Sequence, residues 1–138
     1  MRKKLPLPSL IALIGLCLLP LSANSIGSIS TMVEGEIDMD FMQDVEDTSI
    51  NLTDNITQHN TDSILTDAKE LAAAFAQIEE FYIAKGDAAD AVELSRKSRE
   101  LSQKIIQQVD SKDFDSAAAS ASELSRTCKA CHNFYRDS

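Results

Sequence analysis

The sequence contains no tryptophan, only 3 prolines and 4 glycines, and aromatic residues make up 5% of its 138 residues. Scarce proline and glycine favour long helices, because both residue types interrupt them. The 3 cysteines are too few for a domain held together by disulfides. Basic residues are also a minority, 13 against 22 acidic, and the net charge of −9 argues against nucleic acid as the main partner. The length corresponds to one domain, and the 43% hydrophobic content indicates a folded one.

The N-terminus has the layout of a secretory signal peptide. Basic residues at positions 2–4 precede an apolar stretch over residues 5–21, and Ala23 ends a small-residue cleavage site. The alternative is a retained membrane anchor, because the stretch approaches the lower length limit for a spanning helix. The prolines within the stretch favour cleavage, since they interrupt a helix. Cleavage after Ala23 predicts a periplasmic protein that keeps no membrane segment and loses Cys17 with the signal.

The rest of the chain predicts a bundle of four helices. Residues 24–138 comprise 115 residues with a net charge of −12, and residues 24–36 lack periodicity and are interpreted as a flexible lead-in. After that, apolar residues recur at steps of three and four in four segments: 37–58, 63–84, 88–109 and 114–136. Short connections force consecutive helices to lie antiparallel. The prediction is an all-α domain over residues 37–138, an up-down-up-down four-helix bundle.

The connections carry residues that begin and end helices. Thr61 or Asp62 is expected to accept a hydrogen bond from the first turn of the second helix. Gly86 is expected to end that helix, and Asp87 to cap the third.

Residues 128–132 read Cys-Lys-Ala-Cys-His, the CxxCH pattern of c-type haem attachment. On a helix, Cys128, Cys131 and His132 stand at i, i+3 and i+4, so they project from one face. Two thiols can then form thioethers with the two vinyl groups of one haem while the imidazole binds its iron. Export fits this chemistry, because such attachment takes place outside the inner membrane. The sequence predicts one covalent haem c, with His132 as the proximal ligand.

Other uses of the two cysteines fit the sequence less well. A zinc site needs four ligands, and the only other histidine is His59. A redox-active CxxC normally opens a helix within a βαβ pattern, whereas this one lies late in the last helix. A disulfide at i, i+3 would strain the helix. A helical bundle in which the cysteines are incidental remains as the alternative from a different class of protein.

The opposite axial ligand is expected to come from the first helix. Met42 lies on its inward face, and Met42 and His132 each lie 19 residues from the connection at the far end of the bundle. Met39, one turn earlier, is the fallback ligand. The alternative is that both methionines only fill the core. His59 falls at the opposite end by the same count and is interpreted as a loop residue.

The C-terminal Cys-Lys-Ala-Cys-His-Asn-Phe-Tyr-Arg, preceded by four helical segments, resembles the ending of the class II c-type cytochromes, the cytochrome c-prime group. The resemblance covers about residues 37–138. In that family, a first-helix methionine ligand gives a low-spin electron carrier, and an apolar residue there gives a five-coordinate haem that binds small gases such as nitric oxide. Residues 45–56 are also similar to the opening helix of soluble b-type four-helix cytochromes, and that alignment puts Ser49 at the ligand position.

The predicted function is electron transfer by a periplasmic monohaem cytochrome rather than catalysis, with gas binding as the alternative. Residues 24–68 contain ten acidic residues and no Lys or Arg. Such a surface can steer a redox partner that has a basic docking face, and the alternative is an acidic face that only keeps the protein soluble. The resemblance also implies a homodimer through the first two helices, which ten acidic residues would oppose.

Overall fold

The computed structural model describes residues 37–135, and within this range it consists of four helices without a strand. The helices are α1 (Met39–Thr57), α2 (Thr61–Lys85), α3 (Ala89–Asp110) and α4 (Phe114–Tyr135). The predicted fold is confirmed, and each predicted segment ends within two residues of its helix. The predicted signal peptide and lead-in lie outside the described residues.

The helices are packed as a ring of neighbours. α2 packs most extensively on α3, α3 on α4, and α1 on α2 and α4, whereas the backbones of the diagonal pairs do not come close together within residues 37–135. Because the connections are short, each helix runs antiparallel to both of its neighbours. We call the end with the α1–α2 and α3–α4 connections the closed end, and the end with the α2–α3 connection the cavity end. The start of α1 and the end of α4 both lie at the cavity end.

Side chains and one glycine fix the helix ends. Asp38 Oδ1 accepts from the Phe41 N–H at 2.8 Å, and Asp113 Oδ1 from the Ser116 N–H at 3.1 Å. Hydrogen bonds from the side chain and the backbone of Ser116 hold the pKa of Asp113 below its ordinary value. Gly86 ends α2 at a φ of 79°, as predicted, because glycine adopts this left-handed conformation without strain.

Two predicted caps are wrong. Asn60, and not Thr61 or Asp62, caps α2, because the helix starts at Thr61, two residues before the predicted segment, and the Asn60 side chain accepts from the Ser63 N–H at 3.4 Å. Ala88 precedes α3 where Asp87 was expected, and no side chain caps this helix. Neighbouring polar residues in one connection are all plausible caps in sequence, and the backbone path selects among them.

The closed end is built from large aliphatic side chains that are shielded from solvent. Leu52 and Ile56 of α1 meet Ile64 of α2, and Ile105 and Val109 of α3 complete the layer, all at most 3% exposed. Burial of each such side chain stabilises the fold by roughly 1.5–3 kcal/mol. Their counterparts on α4 are small: the buried residues there are Ala117, Ser120 and Ala121. Ala117 and Ala121 therefore belong to the packed core of the closed end.

Ion pairs join α2, α3 and α4 but leave α1 out. Glu79 of α2, 8% exposed, accepts from Arg96 Nε at 2.9 Å and from Arg99 Nε at 3.0 Å, both from α3. Lys97 Nζ of α3 lies 2.9 Å from Glu123 Oε1 of α4. None of the ion pairs within residues 37–135 involves a residue of α1. Within the described part of the chain, α1 is therefore held by apolar packing, to which the side-chain hydrogen bond from Asn55 Nδ2 to Asp67 Oδ2 of α2 adds at 2.8 Å.

None of the helices in residues 37–135 is both long enough and apolar enough to cross a lipid bilayer.

Candidate functional site

A cavity of about 240 Å³ lies at the cavity end, and all four helices contribute to its wall. Apolar and small polar side chains predominate: Met42, Val45, Glu46, Ser49 and Ile50 from α1, Phe75, Ile78 and Tyr82 from α2, Leu94, Ser95 and Ser98 from α3, and Ser125, Cys128, Lys129, Cys131 and His132 from α4. The exposed residues of this wall are Glu46, Ile50 and Lys129. Because these belong to α1 and α4, the cavity opens to solvent between those two helices.

The CxxCH residues form the α4 side of this cavity. Cys128, Cys131 and His132 all line it, as their spacing on one helical face predicts. The two cysteines are free thiols, and each is partly buried. Their proximity on one wall lets a single bound group meet both sulfurs and the imidazole.

Burial keeps both thiols protonated at neutral pH. Desolvation raises the pKa of Cys128 to about 11, and the neighbouring Cys131 and Glu46 add to this effect. Desolvation also raises the pKa of Cys131. The thiolate is the reactive form of cysteine, so neither residue is a strong nucleophile without assistance.

The structure separates Met42 from the fallback ligand Met39, and it places His59 in a connection as predicted. Met42 is half-buried against the core and lines the cavity opposite the α4 residues. Met39 is 80% exposed and is not part of the cavity wall. His59 lies in the α1–α2 connection at the closed end, where its ring stacks on Phe114 with centroids 4.3 Å apart. Met42 and His132 therefore share one site, and Met39 and His59 lie outside it.

Ser49 also lines the cavity, further along α1 than Met42. The alignment with the b-type cytochromes puts Ser49 at the ligand position, whereas the distance along the helix from the far end of the bundle favours Met42. Both residues lie on the α1 wall of this cavity. Apolar neighbours of Ser49 on this face include Val45, which is buried.

Ser98, Leu94 and Tyr82 follow the steps of three and four that predict inward positions, but the sequence alone assigns them no role. Ser95, Ser125, Glu46 and Lys129 also reach the cavity, and their part in it was not predicted. A serine at a core position of a bundle helix could have indicated a cavity there, since serine is seldom fully buried. The exposed Glu46 and Lys129 carry no such signal in the sequence.

Within residues 37–135, no group of three or more His, Cys, Asp or Glu side chains is arranged to hold a metal ion. Cys128, Cys131 and His132 project from one helix face without converging on a common point. A metal bound here would need ligands that another group supplies.

No family model, curated protein or solved structure matches this chain. The resemblance to the class II c-type cytochromes therefore depends on the C-terminal motif and the order of the helices.

Proposed function

We propose that this protein is an exported monohaem c-type cytochrome that carries electrons and has no catalytic role of its own. Cys128 and Cys131 hold the haem through thioethers, His132 is the proximal ligand of its iron, and Met42 is the distal ligand. One observation carries the proposal. The three residues of the CxxCH motif line a largely apolar cavity, and a half-buried methionine from the antiparallel helix lines the same cavity.

The residues around the cavity suit a haem. Each thiol would add across one vinyl double bond of the haem, so that a sulfur–carbon bond and a carbon–hydrogen bond would replace the S–H bond and the π bond. Apolar side chains of Val45, Phe75 and Ile78 would exclude water from the macrocycle. The bound haem supplies one-electron chemistry at its iron, and ligation by histidine and methionine raises the reduction potential.

The cavity is too small to enclose a haem completely. Its volume of about 240 Å³ is below the roughly 300–1,000 Å³ of pockets that enclose a small molecule. A bound haem would therefore keep an edge in solvent between α1 and α4, or push α1 outwards. Among the ion pairs of residues 37–135, none involves α1, so the displacement of this helix costs least.

The redox partner is proposed to present a basic surface. α1 carries Asp40, Asp44, Glu46, Asp47 and Asp54 and no Lys or Arg. Glu46 lies at the opening of the cavity, so the acidic helix borders the place where electrons would leave. Charge of this kind raises the rate of encounter with a basic protein, and added salt should slow that encounter.

The test starts with the full chain expressed in a bacterium that exports and matures c-type cytochromes. We expect haem that stays with the polypeptide after denaturation, and an N-terminus that follows Ala23. The Cys128→Ala, Cys131→Ala double variant should lose all covalent haem. Wild-type protein without covalent haem would contradict the proposal as a whole.

Met42 is tested by the spin state of the iron. Wild-type ferric protein should be low-spin and its ferrous form indifferent to carbon monoxide, whereas Met42→Ala should be high-spin and bind carbon monoxide. Met39→Ala is the matched control, because that side chain is 80% exposed and should leave the spectrum unchanged. A high-spin wild type that binds carbon monoxide would reject Met42 as the ligand and favour the gas-binding function.

A further inference from the structure

A groove between α1 and α2 lies apart from the cavity that holds the CxxCH residues. Its volume is about 180 Å³, and its floor is apolar: Phe41 and Val45 come from α1, and Leu71 and Ala74 come from α2. Val45 is the one residue of the described chain that lines both the groove and the cavity. A guest in the groove therefore does not occupy the proposed haem site.

Both charged residues of the groove wall are acidic. Asp44 lies on the α1 side and Glu70 on the α2 side, both are exposed, and Thr48 is the remaining polar residue. Neither carboxylate has an ion-pair or hydrogen-bond partner within residues 37–135. Two negative charges beside one apolar groove favour a positively charged guest, because no cation of the described chain lines the groove to offset them.

The size and the floor of the groove indicate which kind of cation fits. At about 180 Å³, the groove is smaller than the roughly 300–1,000 Å³ of pockets that enclose small molecules. A single long side chain suits it better. Lys and Arg cover apolar surface with their aliphatic stems while the charged head stays at the boundary with water. The ring of Phe41 on the floor can add a cation–π contact.

We propose that the α1–α2 groove receives a lysine or arginine side chain of a basic partner protein. The aliphatic stem lies on the apolar floor, and the charged head binds the carboxylates of Asp44 and Glu70. The predicted lead-in of this chain is a poor occupant, because residues 24–36 contain two acidic residues and no Lys or Arg. The groove thus selects a guest from another protein by charge as well as by shape.

The inference rests on the proposed function for the role of this partner, which is to exchange electrons with the haem. Asp40 and Asp47 extend the acidic surface of α1 on either side of Asp44 at helical spacing. Glu46 of the same helix borders the opening of the cavity. A helix with its side chains is about 10–12 Å across, so one partner that lies over α1 can fill the groove and cover the opening together. The groove would fix the orientation of a partner that the dispersed acidic charge only attracts.

The test is a titration of the full-length protein as isolated with a short helical peptide that carries lysine and leucine at steps of three and four. Asp44→Asn combined with Glu70→Gln should weaken binding about tenfold or more in calorimetry, because charge-assisted hydrogen bonds are lost. Asp54→Asn combined with Glu80→Gln is the matched control. It removes the same charges from the same two helices at exposed positions outside the groove, and it should weaken binding less than about threefold.

A second pair of variants tests the shape of the groove at constant charge. Ala74→Leu puts a larger side chain on the floor and should weaken binding about tenfold, because the aliphatic stem loses its apolar contact. Ala73→Leu on the exposed side of α2 is the control and should bind as the wild type does. In NMR spectra, the peptide should shift the amide signals of Phe41 and Leu71.

The proposal is overturned if either groove variant binds the peptide as well as its control does, or if the shifted signals lie elsewhere. Self-association of the wild type that Asp44→Asn with Glu70→Gln abolishes would also overturn it, because the groove would then belong to a second copy of the chain. The peptide is titrated with or without haem, so absence of covalent haem counts against the proposed function alone. Failure of the peptide to bind leaves the evidence from haem attachment and spin state untouched.

Discussion

The two ends of the bundle use the same helical spacing for different purposes. At the closed end, Leu52, Ile64 and Val109 are fully buried and fill the space between helices. At the cavity end the inward positions hold serines and cysteines beside the buried Phe75 and Ile78, and an ion-paired glutamate, Glu79, helps to hold α2 and α3 together. The closed end therefore contributes most of the packing stability, and the cavity end keeps an open space lined by cysteine and histidine side chains. Matched substitutions at the two ends test this difference.

The largest effect is expected from truncating a leucine at the closed end. Leu52→Ala should lower the free energy of unfolding by about 2–5 kcal/mol, because Leu52 is fully buried and its removal leaves a cavity. The control is Leu94→Ala at the cavity end, where the side chain already borders open space and should cost about 1 kcal/mol. Urea unfolding of both variants measures the difference. Equal losses would show that the two ends contribute alike.

Alkaline pH should weaken the cavity end through Cys128. In protein without haem and with reduced thiols, the pKa of Cys128 is raised from 9.0 to about 11 by burial. Thiolate formation then favours the unfolded chain, so the contribution is complete below pH 9 and is lost as the pH rises towards 11, roughly 2–3 kcal/mol in all. The measurement is the free energy of unfolding against pH for the wild type and Cys128→Ala. Parallel curves between pH 9 and 11 would contradict the prediction.

The ion pair at the cavity end should be worth less than the aliphatic core. Glu79→Gln removes a charge that accepts from two arginines while 8% exposed, and it should cost about 2 kcal/mol. Glu93→Gln is the matched control, because Glu93 also binds Arg96 but its side chain is 72% exposed, and it should cost about 0.5 kcal/mol or less. Thermal unfolding at low and high salt would measure both. A similar loss in the two variants would mean that burial of Glu79 adds nothing.

The smallest expected effect is an increase in stability, from a substitution in the α3–α4 connection at the closed end. Lys112 adopts a φ of 61°, a left-handed conformation that is unfavourable for a residue with a Cβ. Lys112→Gly should therefore raise the free energy of unfolding by about 0.5 kcal/mol, since relief of strain exceeds the added freedom of the unfolded chain. Differential scanning calorimetry can detect the corresponding rise in Tm. A lower Tm would show that Lys112 makes a favourable contact that offsets the strain.

The sequence predicted the helices well because their spacing is a local property. Steps of three and four residues identify α1 to α4, and the i, i+3, i+4 rule places the CxxCH residues on one face. Met42 and His132 lie equally far along their helices from the closed end, which predicts that they are close to each other, and both line one cavity. Their role as ligands stays a prediction. Local spacing could not distinguish Met42 from Met39, because both fit the inward face of the first helix. Met39 is exposed to solvent because it lies at the start of α1, where the other helices do not cover it.

The cavity itself could not be predicted, because it is a property of the gaps between helices. Ser95, Ser98 and Ser102 are equivalent in sequence, yet two of them bond to their own helix and one does not. The two wrong caps have a similar cause, since each lies in a run of polar residues where the backbone path decides. Tertiary geometry, rather than residue type, sets these outcomes.

The ring arrangement of the helices also has a consequence for the order of folding. Three of the four interfaces join helices that are consecutive in the chain, and such local contacts form quickly. The α1–α4 interface instead joins the two ends of the domain, so its formation must close the longest loop and is expected last. The cavity opens along this same interface. Until that interface closes, the chain presents the CxxCH face of α4 to its surroundings on a hairpin that is already formed.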